Sequence, residues 1–448
     1  MSTYKLNTKI EIPIGKSKKV YEDKVNYLLS YVGWTPYWDR SIKDGWVPVN
    51  AKILRDVIGP DYSKVIKSCK TQGLLESNET YKKGLVSTKY RLTDKVNKKG
   101  VVMDKNNRYM LKTIKMINEN NAKKNDYKTQ YIIEETIRGF NEGRYKFDSN
   151  SFVQKMIRLL PEDSRICQQA LFDRIVNGHI TCTSDSQGAR IYGNHSNLKK
   201  SIRRRLQIDG DYMLTIDIAN SQLQTLSLYL QEKYPSRSKG VMKFYELCYE
   251  GKIYEFFADK LTKGRRDEIK QPMLNWLYAE SFVSREKKGL VSEIDQCFKV
   301  FFPEVYSMIN EIKGRTNGGA ILSRKMQLLE SNIIKDIQFK LMRDMNVYCL
   351  TIHDSFNFNR NINKDIIQFT ATLLRTSGYG KLSIEDNKME IDKINIQVRK
   401  KNREDIVYGS KNLKVIVNKI DKDKKDYSRY LNPDKVFDDF LKEMKRYR

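Results

Sequence analysis

The sequence predicts an α+β chain of several modules, and three observations carry that prediction. Two strand-like runs, Tyr212 to Ile218 and Val347 to Ile352, each end at an aspartate, Asp217 and Asp354, and mainly helical sequence separates them. Residues 105 to 175 place apolar side chains such as Met110, Ile114, Ile117, Tyr131, Ile132 and Ile137 at helical spacing among charged ones. Residues 46 to 93 read as helix, helix and two strands.

In that N-terminal stretch, Asn50 is a good N-cap for a helix that turns Ile53, Leu54, Val57 and Ile58 inward and stops at Gly59-Pro60. A second helix from Asp61 buries Val65, Ile66 and Cys69, which leaves Lys64, Lys67 and Lys70 to face a phosphate backbone. Leu74-Leu75, a turn at Ser77-Asn78-Glu79, a tip at Lys82-Lys83-Gly84 and a returning strand at Tyr90-Arg91-Leu92 complete the segment. By topology alone it resembles a winged helix-turn-helix, a module that binds DNA and also serves as a protein-protein module.

At 448 residues, with 40% hydrophobic residues, 27 Tyr, 17 Phe and 4 Trp, the chain has the material for two or three packed modules. Lys and Arg number 83 against 55 Asp and Glu, and the formal charge of +28 suits a polyanionic partner, although a Lys-rich composition alone identifies no site. Cysteines 69, 167, 182, 248, 297 and 349 show no CxxC or Cys/His ligand spacing, so free thiols and no structural zinc are expected. No apolar stretch follows Met1, and no window approaches the roughly 18 apolar residues of a membrane span. A soluble, cytoplasmic protein with no membrane partner is therefore expected; oligomeric state is not legible.

A single aspartate at a strand end is ordinarily a turn residue or a helix cap. A pair at the ends of adjacent strands has a further use. Nucleotidyl transfer employs two divalent cations about 4 Å apart, one activating a 3′-hydroxyl and one gripping the triphosphate, and carboxylates must hold both. Magnesium keeps several waters, so Asp217 and Asp354 are a sufficient protein contribution to two Mg2+ ions, with Mn2+ as an alternative.

Asp217 leads into Asn220-Ser221-Gln222-Leu223-Gln224, and Asp354 sits in His353-Asp354-Ser355-Phe356. These resemble motifs A and C of the superfamily of family A DNA polymerases and phage-type single-subunit RNA polymerases. Arg266, Lys270 and Tyr278 match the spacing of its motif B, with Ala279 in place of glycine. The resemblance implies that Arg266 and Lys270 contact the incoming triphosphate and that Tyr278 sits under base and sugar. Lys270 would also protonate the departing pyrophosphate. Four and eight residues apart, the three lie near one face of a helix; the bland reading is a solvated basic face over Leu274 and Leu277. Pro272 suggests that this helix begins near Gln271, with Lys270 at its positive N-terminus.

Upstream, Asp185-Ser186-Gln187-Gly188-Ala189-Arg190 resembles the DxxGR element that precedes motif A, with Ala189 inserted. Asp185, Gly188, Arg190, the cluster Arg203-Arg204-Arg205 and Gln224 are the candidate template contacts, beside Lys64, Lys67 and Lys70. The ordered set covers residues 185 to 360 and implies a right-hand polymerase fold. The expected organisation is an N-terminal winged-helix region (1–95), a helical thumb-like segment (96–180), a first palm segment (181–230), fingers (231–345), a second palm segment (346–400) and a basic extension (401–448) with an amphipathic end, Val436 to Met444.

The implied function is a template-directed nucleic-acid polymerase working on a DNA template with nucleoside triphosphates, yielding a nascent RNA or DNA strand and serving a phage, plasmid or other mobile element. His353-Asp354-Ser355-Phe356 tilts the comparison towards RNA synthesis, as a DNA-directed RNA polymerase or primase-like enzyme. Gln222 stands where the DNA enzymes carry a glutamate that excludes the ribose 2′-hydroxyl and the RNA enzymes a glycine, and its amide, which both donates and accepts, can either block that hydroxyl or hydrogen-bond to it. A family A-like DNA polymerase is the alternative. A non-catalytic replication initiator with a degenerate palm is a second, and a hydrolase using the same metals a third; His179 and His195, with no partner motif, are expected to be structural.

Overall fold

In the computed structural model, residues 17–38, 42, 44–78, 87–96, 107–122, 125–184, 190–235, 238–261, 266–314 and 318–387 are described. Helix and sheet are mixed. The described residues fall into two compact units, one within 1–124, 140–183 and 193–205 and the other within 125–139, 184–192 and 206–448.

In the first unit, Asn50 caps the helix Ala51–Ile58 by accepting from the Lys52 amide at 2.8 Å and the Ile53 amide at 3.3 Å. Leu54, Val57 and Ile58 are buried as expected. Ile53 is 40% exposed, because it lies a full turn-step from Leu54 at the margin of that stripe. The helix Tyr62–Thr71 buries Val65, Ile66 and Cys69 and leaves Lys64, Lys67 and Lys70 exposed. Strand Lys89–Leu92 pairs with Val47–Pro48 on one side and Leu75–Ser77 on the other, all antiparallel. The expected tip at Lys82-Lys83-Gly84 lies outside the described residues.

Tyr109, Met110 and Ile114 of the helix Arg108–Ala122 belong to the same core as Leu28, Val47, Leu54, Val65 and Leu92. The expected boundary at 95/96 therefore runs through a single core. The expected 96–180 segment is not one body either, since 125–139 belongs to the second unit and 140–180 to the first.

The sheet of the second unit is built around Asp211–Ile218. It pairs antiparallel with Leu206–Ile208, with Ser355–Asn359 and with Leu382–Asp386, and Leu350–Ile352 joins beyond Ser355–Asn359. Alternation along these strands sends Ile216, Ile218, Phe356 and Phe358 into a core with Ile334 and Leu341 of the helix Gly318–Asp344. The second strand begins at Leu350 rather than at the expected Val347. Asn346 turns back with a φ of 52°, and the Val347 amide closes the preceding helix on Leu341 O at 2.9 Å, so those residues are spent on ending a helix.

Helices Ser221–Lys233, Lys239–Tyr249, Ile253–Lys260, Arg266–Tyr278, Glu293–Phe301 and Pro303–Lys313 share a separate, aromatic-rich core in which Trp276 stacks on Phe298 at 4.1 Å. Leu223, Leu226 and Leu230 pack into it, so the expected boundary at 230/231 cuts through one helix. All six cysteines are free thiols. Among the described residues no helix is long and apolar enough to cross a membrane. Residues 401–448, with the expected amphipathic end, lie outside the described residues.

Candidate active site

Asp217 sits near the end of the strand Asp211–Ile218, directly across from Ser355 on one side and Ser383 on the other. Asp354 occupies the tight turn between Leu350–Ile352 and Ser355–Asn359. His353 makes that turn with a φ of 56°, a left-handed conformation uncommon for a residue with a Cβ. The Ile218 amide donates to Asp354 O at 3.3 Å, which ties the turn to the residue after Asp217. The register of two strands therefore brings the two predicted aspartates together. His353 is exposed and meets the Tyr192 ring edge-on at 6.1 Å.

The electrostatics of this corner are those of excess negative charge. Burial, then Asp217, then Glu330 push the Asp354 carboxyl up to about 7. A carboxyl so displaced is poised to accept a cation or to hold a proton.

After Asp217 the chain turns from strand to helix at Asn220, whose φ of 57° asparagine tolerates better than most residues. Its Nδ2 donates to Gly251 O at 2.6 Å, and its Oδ1 accepts from Arg266. Arg266 also lies 3.4 Å from Glu255 and over the Tyr254 ring. At the other end of the helix Arg266–Tyr278, the Tyr278 hydroxyl donates to Gln222 Oε1. Burial, outweighing Arg190, and then Glu330 and Asp354 push that hydroxyl up to about 12, so it stays a donor. Lys270 is exposed between them.

One expectation for this helix is corrected. Pro272 lies inside it as the seventh residue, so Lys270 is not at its N-terminus; only the bond that a residue 272 amide would give is lost. Ala279 stands where the family pattern has glycine, and the close approach there is made by Gly319, where a Cβ would lie 2.0 Å from Tyr278 O.

Several candidate template contacts point elsewhere. Gln224 is 1% exposed: its Nε2 donates to Ala219 O and to Lys381 O at 3.1 Å, and its Oε1 accepts from the Gly380 amide at 2.7 Å. It staples two chain segments, with no side-chain amide left for a template. In the first unit, Arg205 pairs with Asp148 at 2.8 Å and lies over Phe152, Arg203 donates to Leu198 O at 3.0 Å, and Arg204 is buried. The triplet is tied into its own unit, Arg205 to the segment at Asp148 and Arg203 to the loop before it, rather than forming an open basic patch. Asp185 and Gly188 lie outside the described residues, whereas Arg190 pairs with Glu330. His179 and His195 are buried, at 1% and 3% exposed.

Sequence reasoning misses Glu330. It is 1% exposed on the helix Gly318–Asp344 and accepts from Arg190, from Ser221, and from Gln222 Nε2 at 3.4 Å. A signal for it exists in the periodicity: Leu322, Met326, Ile334 and Leu341 are buried at helical spacing, and Glu330 falls on that apolar stripe.

No protein-family model matches the sequence, and comparison with curated proteins finds no match. Among solved structures, the chain is similar to the polymerase domain of Pol1 from M. smegmatis in complex with DNA primer-template and dNTP. The TM-score is 0.34 and the identity 13%, over 61% of this chain and 65% of that one. The chain thus matches just under two thirds of that protein's length, and at that TM-score the likeness decides neither fold nor activity.

Proposed function

We propose that the chain is a template-directed nucleic-acid polymerase, in which the sheet carrying Asp217 and Asp354 is the palm and the helices from Lys239 to Lys313 are the fingers. The observation that carries the reading is the convergence at one corner of the second unit: two carboxylates joined by strand register, and the two ends of the helix Arg266–Tyr278 bonded to Asn220 and Gln222 just after Asp217. In this reading the helix Tyr62–Thr71 and the sheet beside it are a DNA-binding winged helix, with Lys64, Lys67 and Lys70 on the phosphates.

Among the described residues no group of three or more Asp, Glu, His or Cys side chains is arranged to hold a metal. The residues fit magnesium all the same. That ion needs only one or two carboxylates beside waters and substrate phosphates, and Asp354 faces the negative charge of Asp217 and Glu330. Asp217 and Asp354 would hold the ions, which when bound supply the acidity that activates a 3′-hydroxyl and the charge that stabilises the leaving pyrophosphate.

The chain's own residues do the rest. Exposed Lys270 offers a proton and a charge to the triphosphate, and Arg266, on exchanging Glu255 for a phosphate, adds a second charge. Tyr278 and Gln222, locked by their hydrogen bond, form the wall against the sugar. DNA-directed RNA synthesis is the preferred product reading, on the His353-to-Phe356 sequence, with DNA synthesis the alternative.

The test supplies primed and unprimed DNA templates with labelled ribo- or deoxyribonucleotides and magnesium. Wild type is expected to extend one sugar class, and Asp217→Ala and Asp354→Ala to lose at least about a thousandfold in rate. Undiminished synthesis in either variant rejects the assignment.

A further inference from the structure

Gln222 has two faces, and which one it shows to a nucleotide depends on what holds its amide. Its Oε1 accepts from Tyr278, and its Nε2 lies 3.4 Å from Glu330 Oε1. The Glu330 carboxylate, when ionised, only accepts hydrogen bonds, so it selects the orientation of Gln222 that presents the NH2 group. The amide oxygen must then face Tyr278, whose hydroxyl must donate to it. One buried acid thereby dictates the direction of every bond in the relay from Glu330 through Gln222 to Tyr278.

We infer that Glu330 is the positioning residue for sugar selection: acting through Gln222, it fixes the hydrogen-bonding polarity of the wall that meets the sugar of the incoming nucleotide. The inference rests on the polymerase reading and goes beyond it. A plain structural ion pair is the competing explanation, but three features count against it. The carboxylate is 1% exposed within an apolar helical stripe, where a buried pair contributes little net stability over an apolar replacement. Its donors come from two separate segments, one carrying Arg190 and the other carrying Ser221 and Gln222 at the start of their helix. Ser221 and Gln222 open the helix that follows Asp217, at the corner that holds Asp354. Such convergence suits orientation better than cohesion.

In this arrangement Arg190 and Ser221 hold the carboxylate in place, and the Tyr278 oxygen keeps an acceptor lone pair turned towards the sugar. Removing the charge at 330 lets the Gln222 amide flip and lets Tyr278 rotate with it, so the wall loses its fixed polarity.

The experiment measures kcat/KM for a ribonucleotide and its deoxy counterpart on a primed template, in wild type, Glu330→Gln, Gln222→Ala and the double variant. Glu330→Gln is expected to shift the ribo/deoxy ratio at least about fivefold, the size of one misdirected hydrogen bond, and through KM more than kcat. The double variant is expected to match Gln222→Ala alone, because Glu330 acts through Gln222. Glu330→Asp retains the charge for Arg190 while withdrawing it from Gln222, so it shifts the ratio in the same direction by less; it also covers the case in which Glu330→Gln fails to fold. A wild-type ratio in both Glu330 variants, or an additive shift in the double variant, overturns the inference. A wild type inactive with both sugars fails the polymerase reading itself and takes this inference with it.

Discussion

Asp295 and Asp354 are both acids withdrawn from water in the same unit, and they are treated in opposite ways. Burial alone would raise the Asp295 carboxyl, but Arg285 binds both its oxygens, and Ser292 and Trp276 donate to it as well, so it is held below the usual carboxylate range. Asp354 has Asp217 and Glu330 as its charged neighbours and is pushed up to about 7. Asp295 is a finished structural acid, whose hydrogen bonds join the helices Arg266–Tyr278 and Glu293–Phe301 to Arg285. Asp354 is left among negative neighbours, which in the proposed reading suits it to a cation.

That contrast can be broken at either acid. Removing the finished one leaves Arg285 buried without its partner, so Asp295→Ala should cost about 3–5 kcal/mol of stability, read as a lowered denaturation midpoint. An unchanged midpoint would mean that Asp295 does not organise these helices.

Removing the charge of Asp354 should have the opposite sign. The Asp354 carboxyl holds its proton more tightly in the folded chain than its ordinary value of 3.8 allows, so between about pH 4 and 7 the folded state carries the extra proton. Stability in chelator therefore falls as pH rises through that window, and the cost is complete above 7. Asp354→Asn carries no charge to bury, and at pH 8 without metal it should be more stable than wild type by on the order of 1–2 kcal/mol, an advantage that disappears near pH 4. Added magnesium should stabilise wild type and not this variant. A variant less stable than wild type at pH 8 would show that Asp354 is satisfied after all.

The smallest expected effect lies in the first unit, where charge faces solvent. Replacing Lys64, Lys67 and Lys70 by alanine should weaken DNA binding and flatten the dependence of log K on log salt by about 2–3, roughly 0.9 for each phosphate no longer neutralised, with little change in stability. An unchanged salt slope would leave that helix a protein-binding surface.

Much of the molecule is legible in the sequence wherever a local pattern decides the outcome. The helix Tyr62–Thr71 buries the three side chains that its periodicity selects, and Asn50 caps the helix before it. Asp217 and Asp354 can be paired because strand ends are readable and antiparallel register does the rest. What is not legible depends on partners distant in sequence. Arg203-Arg204-Arg205 reads as an open basic cluster until Asp148, more than fifty residues upstream, takes up Arg205. Gln224 reads as a polar helix residue until the backbone at Gly380 and Lys381 closes on its amide. Glu330 lies on an apolar stripe in plain view, but its meaning requires Arg190, Ser221 and Gln222 to arrive from elsewhere in the chain.

The most direct test sets the two acids against each other in one assay. Nucleotide incorporation on a primed DNA template with magnesium is measured for wild type, Asp354→Asn and Asp295→Asn, with each rate expressed per folded molecule at a temperature where all three remain folded. Asp354→Asn should be folded and inactive, and Asp295→Asn less stable but still active. Synthesis that survives in Asp354→Asn would contradict the assignment of this carboxylate to metal-dependent nucleotidyl transfer.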